Sequence, residues 1–187
     1  SVLESDHAIG LVYSNGYAVD ESGVILFPIH RANHIEPCDP NAVLLDCYLA
    51  LPVNSLVRRS VYDKVGGFDE TFRAAQDHDM LIRMAEVTKF AYIPDFLWYY
   101  RKHGDSISVK KRELRWITGF EILRRAKARY PYRPETIRKR AAVLNFRLGQ
   151  TYWDEGRKLK AIPYLVKSGL LDPGRALAVL SGKEKVR

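Results

Sequence analysis

The chain has 187 residues, is 47% hydrophobic and carries a formal net charge of +8. This is enough apolar content to bury a core, and no apolar run approaches the roughly 20 residues that a transmembrane helix needs. The charge is divided, because residues 1–97 hold 7 Lys and Arg against 14 Asp and Glu, whereas residues 98–187 hold 23 against 8. These features predict a soluble, intracellular protein built from an acidic and a basic module.

The cysteines and the first residues indicate the cellular context. Cys38 and Cys47 lack the CxxC spacing and the number needed for a disulfide framework, so both are expected to be reduced thiols. The opening residues, SVLESDHAIG, have neither the charged nor the apolar region of a signal peptide. Because the sequence enters an apolar pattern abruptly and without an initiator Met, we expect it to be a piece of a longer polypeptide.

A β-hairpin is the first predicted element. Apolar residues alternate with smaller ones at Ile9, Leu11 and Tyr13, and residues 20–23 supply the chemistry of a turn. The next stretch, FPIHRANHIEPCDP, contains three prolines and has no periodicity, which predicts a loop.

Three possible metal ligands recur within this loop. His30, His34 and Cys38 are spaced by four residues, which would place them on one face of a helix. Pro28 and Pro37 bracket the stretch and argue against a continuous helix. A surface loop is therefore favoured, and a structural metal site is the alternative.

A short strand and a short helix are predicted next. Residues 53–57 form the strand, and Ser60 is a typical N-cap for the helix after it. Gly66 would end that helix, since glycine adopts left-handed backbone without steric cost. Phe68 is then expected to enter the core.

A longer helix is predicted over residues 76–86. Asp79 and Arg83 are four residues apart and can pair across one turn. One or two strands, broken at Pro94, should follow over residues 89–100. The buried face of the helix is predicted to consist of Met80, Leu81, Met84 and Val87.

Basic helices dominate the rest of the chain. The first should run to about residue 130, where two prolines stop it, and two more should cover residues 134–156 and 157–173. The inward side chains of the first helix are expected to be Leu114, Ile117, Phe120, Ile122 and Leu123. The basic residues are spread over several helices without a reading motif, so nucleic acid is not an expected partner.

Eight positions in the last two helices resemble a tetratricopeptide repeat. They are Leu148, Gly149, Tyr152, Gly156, Ala161, Leu165, Ser168 and Pro173. One copy is evident, and the usual early Trp position is Asn145. The resemblance implies a hairpin over about residues 140–173 that packs on its neighbours as a helical appendage.

Four motifs resemble the C-terminal half of a family 2 glycosyltransferase with the GT-A fold. They are GGFDE, then QDHD, then RM and finally YYRKHGDSIS, and the similarity covers about residues 8–108. It implies an α/β fold, a partial GT-A-like fragment of few strands plus helices, followed by an α-helical region, helix-rich overall. The implied domains are residues 1–108, the acceptor side of a GT-A domain, and residues 109–187, the helical extension.

The resemblance also implies an activity, namely inverting transfer of a sugar from a nucleotide-diphosphate sugar to a saccharide or lipid-linked acceptor. Mg or Mn would assist, bound mainly by a D-x-D motif in a donor-side half that is not in this chain. Asp77-His78-Asp79 spells D-x-D, but it follows the GGFDE turn, where the acceptor-side acid belongs. The isolated chain is therefore expected to be inactive, and the missing Q-x-x-R-W signature favours the addition of single sugars.

The same resemblance implies roles for particular residues. Asp77 would be the catalytic base, and Asp79 would pair with Arg83, since residues two apart on a helix do not face each other. Simple helix capping by both carboxylates is the alternative. The substrate site would include Asn54, Asp69, Gln76, Trp98 and Arg101.

Three of these residues keep a second interpretation. His103 would bind the metal or lie near the diphosphate, or it is a surface histidine. Arg101 would bind phosphate oxygens or is solvated. Trp98 would stack on a sugar, although core packing is favoured.

Two further interpretations concern the basic half. One makes the chain a non-catalytic helical module that binds a protein. The other gives the enzyme a peripheral contact with the acidic inner face of a membrane, with a solvated basic surface as the simpler explanation. The expected location is cytoplasmic in either case.

Overall fold

The computed structural model describes residues 2–46, 48–49, 51, 53–104 and 111–181. The chain forms two compact units, residues 1–110 and 111–187. The first combines a four-stranded sheet with short helices and the second is helical, so the predicted helix-rich α/β class is confirmed. Cys47 and the predicted boundary between residues 108 and 109 lie outside the described residues.

The elements follow in chain order. In the first unit they are α1 (Val2–Ser5), β1 (Ile9–Val19), β2 (Ile25–Pro28), α2 (Pro40–Leu45), β3 (Ser55–Val57), α3 (Arg59–Val65), α4 (Gln76–Ala85) and β4 (Lys89–Arg101). In the second they are α5 (Arg112–Arg129), α6 (Pro134–Asp154), α7 (Lys158–Leu171) and α8 (Pro173–Leu180).

Strand β1 is the centre of the sheet. β4 pairs with it in parallel from Ile9↔Lys89 to Val19↔Arg101. β3 pairs antiparallel with residues 11–13 of β1, and β2 pairs antiparallel with residues 17–19. Because β4 occupies one edge along the whole length of β1, β3 and β2 lie one after the other along the opposite edge. Residues 10–16 of β1 are all buried, as in a strand covered on both faces.

Two strand predictions can be compared with this sheet. The predicted hairpin is confirmed, and its turn is closed by the Asp20 carboxylate, which accepts the backbone N–H groups of Ser22 and Val24. β4 is one strand that runs through Pro94. Its register shifts there, because Ser14 pairs with Ile93 and the next β1 residue pairs with Phe96, so two residues bulge from the ladder.

The N-cap of helix α3 lies two residues before Ser60, so the predicted N-cap is wrong. Arg58 occupies the N-cap position in extended backbone. Its main-chain N–H donates to Gly10 O over 2.9 Å, and its Nε donates to Ile9 O over 2.9 Å. Contacts with β1 therefore determine where the helix starts. The predicted end at Gly66, with φ 80°, is confirmed.

Helix α4 agrees with its predicted bounds, and Met80, Leu81 and Met84 are fully buried. Val87, predicted to be buried, is exposed because it lies two residues beyond Ala85, the last residue of the helix. Phe68 is also exposed, in the bend between α3 and α4, so the prediction that it enters the core is wrong.

Helix α5 buries part of the predicted set, because Ile122 and Leu123 are buried and Phe120 is partly buried. Leu114 and Ile117 are exposed. Gly119 lies so close to α6 that a Cβ there would be 2.6 Å from Leu144 Cδ2. The helix therefore turns its small residues inward, and its buried residues are Thr118, Gly119, Ile122, Leu123 and Ala126.

Helices α6 and α7 form a hairpin with a common core. Leu148, Tyr152 and Ala161 are its buried centre. At Gly149 a Cβ would be 2.8 Å from Leu165 Cδ2, so only glycine allows this close crossing. No described helix is both long and apolar enough to cross a membrane.

Candidate functional site

The first turn of α4 carries the two acidic side chains of the QDHD motif. The residue before it, Ala75, has left-handed backbone at φ 57° and provides no side-chain cap. Asp77 and Asp79 thus stand at a helix N-terminus, where the helix dipole stabilises negative charge. A non-glycine residue at such a φ is strained, a feature that recurs at functional sites.

Asp79 is committed to the structure. It is buried, and its Oδ2 accepts a hydrogen bond from Arg83 Nε over 2.9 Å, so the predicted pair is confirmed. Arg83 also donates from Nη1 to Val65 O over 2.6 Å and from Nη2 to Gly67 O over 3.0 Å. The guanidinium therefore fastens α4 to the turn that follows α3.

Asp77 is in a different environment. It is partly exposed, and its Oδ1 accepts the backbone N–H of His78 over 2.9 Å. Its Oδ2 accepts no hydrogen bond from any residue that the structure describes. One oxygen therefore caps the helix, while the other is able to take a proton from a substrate.

Two predicted substrate residues lie in the same part of the chain. Asp69 Oδ1 accepts the N–H of Thr71 over 2.9 Å and its hydroxyl over 2.5 Å, which closes a turn ahead of α4. Gln76 is the exposed first residue of α4. Because Arg83 holds the start of this loop, Asp69, Gln76 and Asp77 are displayed by one anchored segment.

Asn54 and Trp98 each form a hydrogen bond with Ser14, and they approach it from opposite edges of β1. Asn54 O accepts the N–H of Ser14 over 3.2 Å, and Trp98 Nε1 donates to Ser14 O over 3.2 Å. The Trp98 ring covers Gly16, where a Cβ would be 2.5 Å from it, so this indole packs on the sheet. The Asn54 side chain is buried and neither of its amide atoms has a partner among the described residues.

Arg101 and His103 lie where β4 ends. Arg101 is exposed, and its Nη1 donates to the carbonyls of Glu21, over 2.5 Å, and Asp20, over 3.3 Å. His103 is also exposed and lines a depression of about 600 Å³ with neighbours from two segments. Those neighbours are Asp20, Glu21, Ser22, Lys102 and Gly104.

The described residues at the end of β4 do not form a divalent metal site by themselves. Mg and Mn require several oxygen ligands. The Asp20 carboxylate already accepts hydrogen bonds from Ser22, which lower its pKa. Within the described ranges no group of three or more His, Cys, Asp and Glu side chains is placed to hold a metal ion.

The loop before α2 contains a packed cluster that the sequence did not predict. His30 is buried rather than on the surface, and its ring stacks on His34 with centroids 4.4 Å apart. His34 Nε2 lies 2.5 Å from the Tyr13 hydroxyl, and Tyr92 packs edge-on against His34. The loop is not helical, and Cys38 instead donates its thiol to Phe90 O over 3.3 Å.

The side-chain amide of Asn15 fixes His30 within this cluster. Asn15 Oδ1 accepts the N–H of His30 over 2.9 Å, and Asn15 Nδ2 donates to His30 O over 3.1 Å. Burial, with a smaller contribution from His34, lowers the pKa of His30 to about 4. Burial also lowers the pKa of His34 and raises that of Tyr13. The histidines and Tyr13 are therefore neutral at pH 7.

The predicted site residues thus fall into three places: the loop and first turn of α4, the middle of β1, and the end of β4. No protein-family model and no curated protein matches this chain. The chemically capable group with the clearest geometry is the Asp77 carboxylate.

Proposed function

We propose that this chain is the acceptor-side half of an inverting family 2 glycosyltransferase, a partial GT-A-like fragment, with Asp77 as its general base. The observation that supports this proposal most directly is the difference between the environments of the two carboxylates in the QDHD motif. Asp79 is buried and paired with Arg83, whereas Asp77 keeps one carboxylate oxygen without a described hydrogen bond. Two carboxylates in one helical turn thereby have different tasks.

The proposed reaction begins with an acceptor hydroxyl next to Asp77. Asp77 Oδ2 takes the hydroxyl proton while the acceptor oxygen forms a bond to the anomeric carbon of the donor sugar. The bond from that carbon to the nucleoside diphosphate breaks on the opposite face, so the configuration is inverted. The rigid start of α4 aims the carboxylate, and its anchoring through Arg83 maintains that aim.

Other residues would bind the substrates. Asp69 and Gln76 belong to the same anchored segment as Asp77 and suit hydroxyl groups of a saccharide acceptor. The Asn54 amide retains hydrogen-bonding capacity. Arg101 uses Nη1 for two carbonyls and has further N–H groups suited to diphosphate oxygens.

The donor would be a nucleotide-diphosphate sugar and the acceptor a saccharide or a lipid-linked saccharide. The metal, Mg or Mn, would be held mainly by a D-x-D motif in the donor-side half, which the resemblance places outside these 187 residues. It would neutralise the departing diphosphate, and His103 is the residue of this chain proposed to lie nearest to it.

The test is turnover of a panel of UDP- and GDP-sugars by the full product of the gene. Replacing Asp77 with Asn should lower kcat by roughly 10²–10⁴, the usual contribution of a general base. Asp63→Asn, which changes an exposed carboxylate on α3, is the matched control and should retain activity. Full activity of Asp77→Asn would overturn the assignment of the base. Turnover by the 187-residue chain alone would show that the donor site is not elsewhere.

A further inference from the structure

Helix α7 has a second apolar face that nothing in the described structure covers. Its inner face, with Ala161, Leu165 and Ser168, contacts α6. The outer face carries four aliphatic side chains spaced by three or four residues, which places them on one side of the helix. This α7 outer row consists of Leu159, Ile162, Val166 and Leu170, which are 89%, 48%, 56% and 78% exposed.

Lysines border the α7 outer row on both sides. At 100° per residue, Lys158 falls on one side of the row and Lys167 on the other, and α7 contains no acidic residue. The nearest acidic residues in the sequence are already engaged, because Glu155 pairs with Arg157 and Asp172 caps α8. Over residues 111–181 there are 17 Lys and Arg against 6 Asp and Glu.

An exposed tryptophan lies on the Lys158 side of the row. Trp153, near the end of α6, has its indole ring 5.4 Å from Lys158 Nζ. Tryptophan is typical of the boundary between lipid headgroups and acyl chains, because its ring is apolar and its N–H is polar.

We propose that the α7 outer row binds an anionic membrane surface, with its aliphatic side chains in the upper acyl region and Lys158 and Lys167 at the lipid phosphates. An aliphatic row between lysines is the pattern of a helix that lies in the plane of the interface. Long lysine side chains can extend to the headgroups while their stems stay on the apolar surface.

Two other occupants fit the row less well. A second copy of the chain, related by two-fold symmetry about the row, would bring lysine borders together. A protein partner would need polar groups to set its register, and the row has none. The inference does not rest on the proposed transferase activity, since α5–α8 belong to a unit of their own.

Vesicle sedimentation of the whole 187-residue chain tests this proposal. We expect binding to phosphatidylcholine vesicles that contain about one third phosphatidylglycerol to be at least about tenfold tighter than to phosphatidylcholine alone. High salt should weaken it, because salt screens the lysines. Trp153 fluorescence should shift to the blue, and Trp153→Phe should remove that shift.

Variants separate the row from simple charge attraction. Val166→Ser combined with Leu170→Ser, which leaves the net charge unchanged, should weaken binding to the anionic vesicles at least about tenfold. Ile35→Ser, at a side chain that is 81% exposed in the first unit, is the matched control and should bind as the wild type does. Lys158→Gln and Lys167→Gln should each weaken binding about fivefold. Circular dichroism would verify that every variant is folded.

Three results would overturn the proposal. The first is unchanged vesicle binding by the Val166→Ser, Leu170→Ser variant, since charge alone would then explain the attraction. The second is equal binding to neutral and anionic vesicles. The third is a dimer, seen by light scattering without lipid, that the same double variant abolishes, since a second copy would then cover the row.

Discussion

Arg83 Nε and Asp79 Oδ2 are 2.9 Å apart, one turn of α4 from each other, with side chains that are 14% and 4% exposed. The same guanidinium also donates to the carbonyls of Val65 and Gly67. One cation therefore compensates a buried carboxylate and fixes the segment that presents Asp77. The pair supports the candidate site without taking part in its chemistry.

Removal of the Arg83 side chain should lower the stability of the folded chain. Arg83→Ala leaves the Asp79 carboxylate buried without its cation, and we expect the free energy of unfolding to fall by about 3 kcal/mol. Arg83→Ala with Asp79→Asn should recover part of this loss, because no unpaired charge remains. Arg124→Ala, which breaks an exposed pair with Glu121, should leave the urea midpoint nearly unchanged. Similar losses for both single variants would contradict this explanation.

Two glycines in the α6–α7 hairpin should respond in opposite ways to alanine. At Gly149 a Cβ would be 2.8 Å from Leu165 Cδ2 and 3.3 Å from Ala161 O, so we expect a loss of about 1–2 kcal/mol from overpacking. At Gly169 the nearest atom would be 3.8 Å away. Gly169→Ala should therefore stabilise α7 by about 0.5–1 kcal/mol through helix propensity. Thermal unfolding followed by circular dichroism measures both, and a Gly149→Ala variant as stable as the wild type would refute the close-crossing argument.

Glu113 should make the helical unit sensitive to acid. The Tyr152 hydroxyl, at 2.7 Å, and then Arg157 lower the pKa of this carboxyl to about 2 from its ordinary 4.5. The folded state thus binds fewer protons than the unfolded state, so this stabilisation is complete above pH 4.5 and is lost as the pH falls through 2.

Because solvent screens the group, the expected contribution is about 1 kcal/mol at pH 7. Glu113→Gln should remove it and flatten the dependence of unfolding on pH in that window. The comparison is Glu135→Gln, which changes an exposed carboxylate paired with Lys139 and should have a smaller effect. An acid transition unchanged in Glu113→Gln would exclude this residue as its cause.

The buried His30 should make stability depend on pH in a higher range than Glu113 does. Its pKa is about 4 in the folded chain against 6.5 ordinarily, so the unfolded state binds more protons between these values. Stability should therefore rise with pH across this window, by about 3 kcal/mol for this group, and be lost as the pH falls through it.

His30→Phe keeps a ring in the cluster but cannot titrate, so it should reduce this pH dependence. His7→Phe, at an exposed histidine, is the control and should not. Histidine ring resonances in NMR titrations would report the His30 midpoint directly. A midpoint near 6.5 would mean that the ring is solvated.

Features set by near neighbours were predictable from the sequence. The spacing of Asp79 and Arg83 puts them on one helix face, and Gly66 ends α3 because it can adopt φ 80°. The different environments of Asp77 and Asp79 follow from the same helical geometry, since residues two apart point in different directions.

Features set by distant segments were not predictable. His30 is buried because Asn15 and Tyr13, more than a dozen residues earlier, hold it against β1. The inward face of α5 depends on how closely Gly119 approaches Leu144, which apolar periodicity does not encode. Likewise, the meeting of Asn54 and Trp98 at Ser14 depends on strand order.

The pairing of β1 with β4 has a consequence for how the chain folds. The first strand is joined along its whole length to a strand about eighty residues later, whereas α5 to α8 pack mainly against the next helix in the sequence. Contacts between distant residues slow folding because a long loop must close first. On the ribosome, β1 must wait until Arg101 has emerged before its ladder is complete, while each helix of the second unit can dock soon after it is synthesised.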